Sequence, residues 1–210
     1  MSEARANRFQ RRRGETRRAL VHAARQVLAE SDDTGVSIRS LAERADVGLG
    51  SFYNHFPSKR DLFDAAVADV LEEYAHAVEG HLCGLDDPAE RIAAGVRFSA
   101  RVAGASPQIM RILCNSGLGR IHAGRGPLVR CAHRDMERGI ASGRFAVADP
   151  VIAVSALNAS LLALLELWST RPEIDSDRAA RAMAEMLLHM LGLPEAEARE
   201  VAWRPLDGAA

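Results

Sequence analysis

The sequence predicts an all-helical protein of about nine to ten helices, in which three N-terminal helices precede a larger helical domain. Apolar residues recur three or four positions apart along most of the 210 residues, which is the spacing of one helix face. A capping residue followed by proline, a common start of a helix, occurs at Asp87-Pro88, Ser106-Pro107 and Asp149-Pro150. We find no segment with the alternating apolar and polar residues of a half-buried strand.

Composition and charge are those of a soluble protein with one basic end. Hydrophobic residues make up 48% and charged residues 26% of the chain, which excludes wholesale disorder. The net charge is −1, but residues 1–60 carry 12 Lys and Arg against 7 Asp and Glu, whereas residues 61–210 carry 15 against 21. This division indicates that only the N-terminal part meets a polyanion, and chance segregation is the alternative.

The cysteines and the apolar segments favour a cytoplasmic protein without a membrane partner. Cys83, Cys114 and Cys131 are widely spaced and odd in number, which suits a reducing compartment. No apolar segment follows the N-terminal arginines, so we expect no secretory signal. The most apolar stretch, residues 151–168, is interrupted by polar residues and is short for a bilayer span. We expect it to be a buried helix.

The first helix is expected to follow a flexible basic arm. Residues 1–13 are polar and contain five arginines. From Thr16 onward, apolar residues such as Leu20, Ala24 and Val27 recur on one helical face. We therefore predict a helix from about Gly14 to Ser31, followed by a break.

Residues 37–63 predict two short helices, a tight turn between them and the start of a long helix. Ser37 is a good N-cap for the first short helix, and Asp46, which tolerates a left-handed backbone, begins the turn. The second short helix should span about Leu49 to Phe56, because Pro57 prevents its continuation. This layout is a helix-turn-helix, which presents its second short helix to the major groove of DNA.

Residues suited to DNA contact cluster on this segment. Small residues at the start of the second short helix permit close approach of its amides to phosphate. Tyr53 and His55 flank the inward-facing Phe52 and Phe56, so they should point outward, and the alternative is that they are only surface residues of a helical hairpin. The predicted DNA-contacting residues are Ser37, Arg39, Gly48, Leu49, Gly50, Ser51, Tyr53, Asn54, His55 and Lys59. The basic arm either joins these contacts or stays a solvated tail.

The same segment resembles the signature of the TetR family of bacterial transcriptional regulators. The matching residues are Ala45, Val47, Gly50, Ser51, Tyr53, His55, Phe56 and Lys59. The resemblance implies a repressor that uses the positions of Arg39, Leu49, Gly50, Ser51, Tyr53, His55 and Lys59 for bases or backbone. Gly48 and Leu49 depart from it, since many relatives carry Ser or Thr and a polar residue there. We therefore expect little hydrogen-bond readout from this helix, with thymine-methyl contact and DNA shape contributing more.

Capping residues, prolines and glycines divide the rest of the chain into further helices. We predict helices near residues 88–103, 107–114, 127–142, 150–169, 176–191 and 194–203. Gly143 and Gly192 are the expected C-terminal stops of two of them. The predicted domains are a helix-turn-helix DNA-binding domain at residues 14–60 and a helical effector-binding and dimerisation domain at residues 61–205.

A homodimer is expected because one eight-residue helix cannot bind DNA tightly and selectively, whereas a twofold dimer reads a palindromic double-stranded operator. The resemblance implies that the helices near 150–169 and 176–191 of two subunits form a four-helix interface. The candidate interface residues are Ala153, Ala156, Ala159, Ser160, Ala163, Ala180, Met183, Ala184, Leu187, Leu188 and Leu191.

The resemblance also implies a cavity among the middle helices for a small hydrophobic effector, whose binding releases the operator. The candidate lining residues are Tyr74, Phe98, Arg101, Val102, Met110, Leu113, His122, Asn158, Leu161, Leu162 and Trp168. Arg101 or His122 would be the polar anchor. For each residue the alternative is ordinary core packing, because apolar residues at helical spacing are first of all core.

We predict no enzyme activity, cofactor or metal. Gly117-Leu118-Gly119 follows no strand, so it is not a dinucleotide fingerprint. The spacing of His76 and His81 does not place both on one helical face, which argues against a metal site with the nearby Glu72, Glu73 and Cys83. Two alternatives stay open: an activator or effector-independent regulator, and a helical ligand-binding protein or enzyme that keeps the helix-turn-helix as a scaffold.

Overall fold

The computed structural model describes residues 2–30, 35–106, 109, 111–112 and 127–205. Within these residues there are nine α-helices and no strand, which confirms the predicted all-helical fold. The helices are α1 (Ser2–Glu30), α2 (Ile38–Arg44), α3 (Leu49–Tyr53), α4 (Lys59–His81), α5 (Pro88–Ala105), α6 (Pro127–Ala141), α7 (Pro150–Thr170), α8 (Ser176–Met190) and α9 (Glu195–Trp203). The predicted helix near 107–114 falls mostly outside the described residues.

Local capping chemistry begins and ends the helices as the sequence predicted. The Ser37 hydroxyl oxygen accepts a hydrogen bond from the Ser40 amide at 3.1 Å, and the Asp149 carboxylate accepts from the second and third residues that follow it at 2.8 and 3.2 Å. These bonds satisfy amides that lack a partner within the helix. Gly143 and Gly192 have φ angles of 71° and 98°, so both predicted glycine stops are confirmed.

The predicted flexible arm is wrong for residues 2–13, because α1 begins at Ser2. The segment contains no proline and no glycine before Gly14, and Ala, Arg, Glu and Gln are strong helix formers. Arg11 and Glu15 form an ion pair at 3.3 Å one turn apart, which supports the helix across the expected boundary. Arginine content alone therefore did not justify an unstructured arm.

The recognition-type helix α3 is three residues shorter than predicted, since it ends at Tyr53 rather than Phe56. The His55 amide donates to the Phe52 carbonyl at 2.9 Å, a three-residue closure that tightens the last turn. Pro57 further disfavours helical backbone at the residue before it. The helix therefore ends at Tyr53, three residues earlier than the limit that the proline alone would set.

The chain divides into two compact units, Met1–Val70 and Leu71–Ala210, and α4 contains the boundary. The N-terminal unit has its own core, built from α1, α2, α3 and the first part of α4. Leu20, Phe52 and Leu62 have no exposed surface, so they form the centre of this core. With Leu41 of α2, which is also fully buried, each of the four helices contributes to this core.

In the C-terminal unit, α8 is the central helix and packs against α5 and α9. The apolar face of α8 therefore packs against other helices of the same chain. Six of the predicted dimer residues are buried in this core and are not free to face a second copy: Ala153, Ala180, Ala184, Leu187, Leu188 and Leu191. The expectation for these six is wrong, because an apolar stripe does not reveal from the sequence whether its partner is the same chain or another.

The prediction that residues 151–168 form a buried helix holds for only part of α7. Its buried residues are Ala153, Val154, Leu164 and Leu165, whereas Ile152 is 66% exposed. By length and composition alone α7 could cross a membrane, a property that it shares with core helices of soluble proteins. Its apolar character serves the core on one face and leaves apolar side chains exposed on another.

Gly139, in the last turn of α6, packs against the buried ring of Phe145. A Cβ at position 139 would lie 2.0 Å from this ring, so Gly139→Ala is expected to lower the free energy of unfolding by about 1–3 kcal/mol. Gly104→Ala is the matched control, since nothing lies within 4 Å of its added Cβ, and it should be neutral or stabilise by about 0.5–1 kcal/mol. Urea unfolding measures both, and equal stability of the two variants would contradict the packing at Gly139.

Candidate nucleic-acid interface and cavity

The helix-turn-helix is closed by backbone hydrogen bonds and one left-handed residue. The Val47 amide donates to the Ala42 carbonyl at 2.9 Å, and the Asp46 amide donates to Glu43 at 3.1 Å. Asp46 has a φ of 52°, the left-handed backbone that aspartate tolerates better than most residues. Together these contacts fix the direction of α3 relative to α2.

The residues predicted to contact DNA are exposed or half-buried around α2, α3 and the start of α4. Tyr53 is 57% exposed and Leu49 41% exposed, whereas Phe52 and Phe56 are buried. Tyr53 therefore points away from the core, as its spacing from Phe52 predicted. The remaining residues divide into an exposed set (Ser37, Arg39, Gly48, Gly50 and Asn54) and a half-buried set (Ser51, His55 and Lys59).

A groove in the N-terminal unit places arginines of α1 beside α3. Its lining includes Arg12, Arg13, residues 45–48, Ser51, Asn54 and His55. Burial, followed by the charges of Arg13 and Arg17, lowers the pKa of His55 below 6.5, so His55 is neutral at pH 7 in a positive environment. Sequence reasoning missed this groove because it assigned Arg12 and Arg13 to a separate arm.

Lys59 has a structural contact in addition to its charge. Its ammonium group donates to the Val36 backbone carbonyl at 3.1 Å, which ties the start of α4 to the segment before α2. Arg44 of α2 pairs with Glu30 of α1 at 2.7 Å. These two contacts hold the short helices against the longer ones that flank them.

The C-terminal unit contains a mostly apolar cavity of about 120 Å³ between its part of α4 and α5, α6 and α7. The apolar lining is Leu71, Val78, Leu82, Ile92, Gly95, Val96, Ala132, Leu157, Leu161, Leu162 and Leu165, and the polar lining is Tyr74, Glu79, Arg91, Ser99, Cys131, Asp135 and Asn158. Cavities of about 150 Å³ with aliphatic and aromatic walls hold a single benzene ring. The cavity is thus close in size to one aromatic ring.

Four of the predicted effector residues line this cavity: Tyr74, Asn158, Leu161 and Leu162. Phe98, Arg101, Val102 and Trp168 do not line it, and Phe98 instead stacks on His81 with ring centroids 4.6 Å apart. The reason is helix rotation, since α5 faces the cavity with Ile92, Gly95, Val96 and Ser99 and the three predicted α5 residues occupy the neighbouring face. Met110, Leu113 and His122 lie outside the described residues.

A buried ion-pair network forms the polar wall of the cavity. Arg91, 7% exposed, donates from Nε to Asp135 Oδ2 at 2.9 Å, from one terminal nitrogen to Glu79 at 3.1 Å and from the other to a backbone carbonyl at 3.0 Å. Arg134 also pairs with Glu79, at 2.9 Å. Sequence reasoning missed this network, because Arg91 and its partners lie far apart in sequence and nothing local indicates that they meet.

Two further polar side chains of the cavity, Tyr74 and Cys131, are protonated at neutral pH. Tyr74 and Ser99 share a short hydrogen bond between their hydroxyl oxygens, and burial raises the pKa of Tyr74 to about 12. Burial, followed by the charge of Glu79, raises the pKa of the Cys131 thiol above its ordinary value of 9.0. Among the described residues, no group of His, Cys, Asp or Glu side chains is arranged to hold a metal ion.

Two protein-family models match consecutive segments of the chain. "Bacterial regulatory proteins, tetR family" matches residues 20–66, and "Tetracyclin repressor-like, C-terminal domain" matches residues 87–204. The first match contains the helix-turn-helix with its exposed α3. The second contains most of the cavity lining, on α5, α6 and α7.

Known proteins of the same kind are similar to the chain at moderate identity. The class C tetracycline repressor of Escherichia coli is 27% identical over 119 residues, and the KstR repressor of Rhodococcus jostii is 36% identical over 58 residues. The chain spans 54% of the length of the first and 27% of the second. The structure of RolR with resorcinol is 31% identical, covers 94% of this chain and 97% of RolR, and superposes with a TM-score of 0.68. RolR without ligand superposes with a TM-score of 0.71 over 89% of this chain.

Proposed function

The chain belongs to the TetR family of bacterial regulators, and we propose that it is a homodimeric repressor released from a palindromic operator by a small hydrophobic effector. The observation that supports the proposal most is an exposed α3 within a hydrogen-bonded helix-turn-helix, in a chain whose second unit has a ring-sized apolar cavity. α4 contributes residues to both units. In this proposal, effector binding in the second unit therefore affects α3 through α4.

The surface around α3 suits DNA in its charge and its shape. Gly48 and Gly50 leave the first turn of α3 free of bulky side chains, so its amides can approach phosphate closely. Arg12 and Arg13 add positive charge at the groove beside it, and phosphate contacts of this kind dominate affinity. Leu49 is 41% exposed, which supports the proposal that it makes apolar contact with a thymine methyl and that this helix contributes little hydrogen-bond readout.

Arg39→Ala is expected to relax base preference, because an exposed guanidinium on α2 can read a guanine edge. The expected loss on the correct operator is about 1–3 kcal/mol, with little change on unrelated DNA. Tyr53→Phe is the matched comparison, since loss of a phosphate-directed hydroxyl should weaken operator and unrelated DNA alike. Fluorescence anisotropy with both duplexes measures the six affinities of the wild type and the two variants. If Arg39→Ala binds every site as the wild type does, Arg39 does not read bases.

Dimerisation through α7 and α8 is supported by apolar side chains that the single chain leaves exposed. Val151 and Ile152 on α7 are 61% and 66% exposed, and Met186 on α8 is 67% exposed. Exposed apolar groups of this size mark protein contacts when they cluster. We therefore assign the interface to these residues with Ala156, Ala159, Ser160, Ala163 and Met183, and not to the six that the core uses.

The size of the cavity favours an effector of about one ring over a long chain or a steroid. RolR, a solved relative that covers 94% of this chain, has been crystallised with resorcinol, and a ring of that size suits a cavity of about 120 Å³. An effector acts by binding the DNA-free form more tightly than the DNA-bound form, with a coupling of typically about 1–3 kcal/mol.

The proposal is tested by incubating the purified protein with sheared genomic DNA and sequencing the retained fragments. Enrichment of a palindromic site is expected, because a twofold dimer presents two α3 helices to symmetric half-sites. Single-ring compounds are then added to the retained complexes, and those that release the DNA fragments are identified as effectors. A folded, dimeric protein that enriches no site, with and without such compounds, would contradict a role in sequence-specific regulation.

A further inference from the structure

Two buried polar atoms of the cavity have no hydrogen-bond partner among the described residues. They are Oδ1 of Asp135, on α6, and Nδ2 of Asn158, on α7, and both residues line the same cavity. Buried polar atoms in proteins are nearly always paired, so an unpaired one indicates a missing partner. Here the shared cavity indicates that one bound molecule supplies both partners.

Asp135 is an acceptor with one oxygen already used. Its Oδ2 accepts from Arg91 Nε at 2.9 Å, whereas its Oδ1 is 3.6 Å from Arg134 Nε, which is beyond a hydrogen bond. The residue is 5% exposed, so bulk water is not a ready partner. A molecule bound in the cavity would therefore need a hydrogen-bond donor to pair with Oδ1.

Asn158 offers the complementary chemistry in an apolar setting. It lies on α7 beside Leu157, Leu161 and Leu162, which also line the cavity. Its amide nitrogen carries two donor hydrogens and no acceptor capacity. The molecule therefore needs an acceptor at this point, and apolar surface between its two polar groups.

Tyr74 adds a second acceptor to the lining. Ser99 donates its only hydroxyl hydrogen to the Gly95 carbonyl at 2.8 Å, so the Tyr74 hydroxyl must be the donor in the bond between Tyr74 and Ser99. The Tyr74 oxygen keeps lone pairs that can accept from a ligand. A ligand hydroxyl suits this position as well, because it can both donate and accept.

The charges of the wall balance, which favours a neutral ligand. Arg91 and Arg134 are cations, and Glu79 and Asp135 are the anions that pair with them. A ligand carboxylate would bring a third anion next to Asp135 with no additional cation among the described lining residues, and like charges at such range repel. An uncharged hydroxyl brings no such penalty.

We propose that this cavity binds a neutral single-ring compound with two hydroxyl groups, one donating to Asp135 Oδ1 and the other accepting from Asn158 Nδ2. The inference rests on the proposed function, since it names the chemical class of its effector. The ring occupies the apolar space between α4, α5 and α7. Its two hydroxyls satisfy the two atoms that the protein leaves unpaired.

Direct calorimetric titration of the full-length protein without DNA tests the ligand class. The probes are the three dihydroxybenzene isomers, phenol, 1,3-dimethoxybenzene and benzoate. We expect one dihydroxybenzene to bind at least tenfold more tightly than phenol, and the dimethoxy compound, which cannot donate, and benzoate, which is anionic, to bind weakest. Equal affinity for phenol and all three isomers, or no binding of any dihydroxybenzene, would overturn the proposal.

Two variants assign the contacts to residues. Asn158→Leu should remove the preference for the second hydroxyl and bring the affinity ratio of dihydroxybenzene to phenol close to one. Asp135→Asn places a donor where the ligand donates and should weaken the best isomer at least tenfold, and thermal melting checks that each variant is folded. Ser169→Ala, a polar truncation on the exposed face of α7, should leave every affinity unchanged. Unchanged preference in a folded Asn158→Leu would overturn the contact.

The selection of genomic DNA separates this inference from the proposed function. Enrichment of a palindrome together with no dihydroxybenzene binding overturns the ligand class and leaves the regulator standing. Binding that depends on Asp135 and Asn158 without any DNA enrichment supports the ligand site and contradicts the regulator.

Discussion

Arg91→Ala is expected to lower the free energy of unfolding by about 3–5 kcal/mol, because it leaves a buried carboxylate without its partner. Arg91 and Asp135 have side chains that are only 7% and 8% exposed and are joined at 2.9 Å. The same substitution removes hydrogen bonds to Glu79 and to a backbone carbonyl. Urea denaturation at neutral pH measures the loss.

Arg171→Ala is the matched control for this prediction. Arg171 also pairs with an acidic residue, Glu173, but both side chains are about 60% exposed, and exposed pairs contribute about 0–1 kcal/mol. The double variant Arg91→Ala/Asp135→Ala should recover part of the loss, since it removes the uncompensated charge as well. A loss of under 1 kcal/mol for Arg91→Ala, equal to that of the control, would show that the network does not stabilise the fold.

Operator affinity is expected to fall about 10³-fold between 50 and 200 mM salt. This figure assumes three phosphate contacts per subunit, or six per dimer, with release of the counterions that they displace. We propose that Arg12 and Arg13 at the groove, with the first turn of α3, supply these contacts. The salt series is measured on one duplex by fluorescence anisotropy.

Two arginine variants make the salt experiment specific to the interface. Arg12→Ala should reduce the slope of log affinity against log salt by roughly two for the dimer, because one phosphate per subunit is then no longer neutralised by the protein. Arg178→Ala, which removes an exposed arginine on α8 in the C-terminal unit, should leave the slope unchanged. An affinity that is flat between the two salt concentrations would contradict phosphate-dominated binding.

The helix-turn-helix was predictable because its signals are local. Ser37 caps α2, Asp46 takes the left-handed turn, and Pro57 prevents any helix from running from α3 into α4. Each acts through its own backbone or that of a close neighbour in sequence, so the printed residues suffice. Even here the end of α3 at Tyr53 was not predicted. Residues 54–56 are compatible both with a continuing helix and with a tightened last turn, and the sequence does not distinguish the two.

The cavity lining was predicted only in part, and the proposed dimer surface had to be revised, because both depend on contacts between distant segments. Asn158 and Tyr74 were identified as cavity residues, but Arg91 and Asp135, which are 44 positions apart in sequence, gave no sign of pairing. The apolar stripe of α8 looked like an interface and instead forms the centre of the core, with Leu188 and Leu191 fully buried. An apolar stripe in the sequence shows that one face of a helix is apolar, but it does not show which segment or partner packs against that face.

The sequence by itself determined the helical class, the order and most bounds of the described helices, and the exposed face of α3. These follow from caps, prolines, glycines and helical periodicity, which act within a few residues. Only the tertiary structure decided which face of α5 lines the cavity, that Arg91 and Asp135 meet there, and that α8 packs inward. Those outcomes depend on the rotation and packing of whole helices, where shifts of a fraction of a helical turn exchange one lining residue for another.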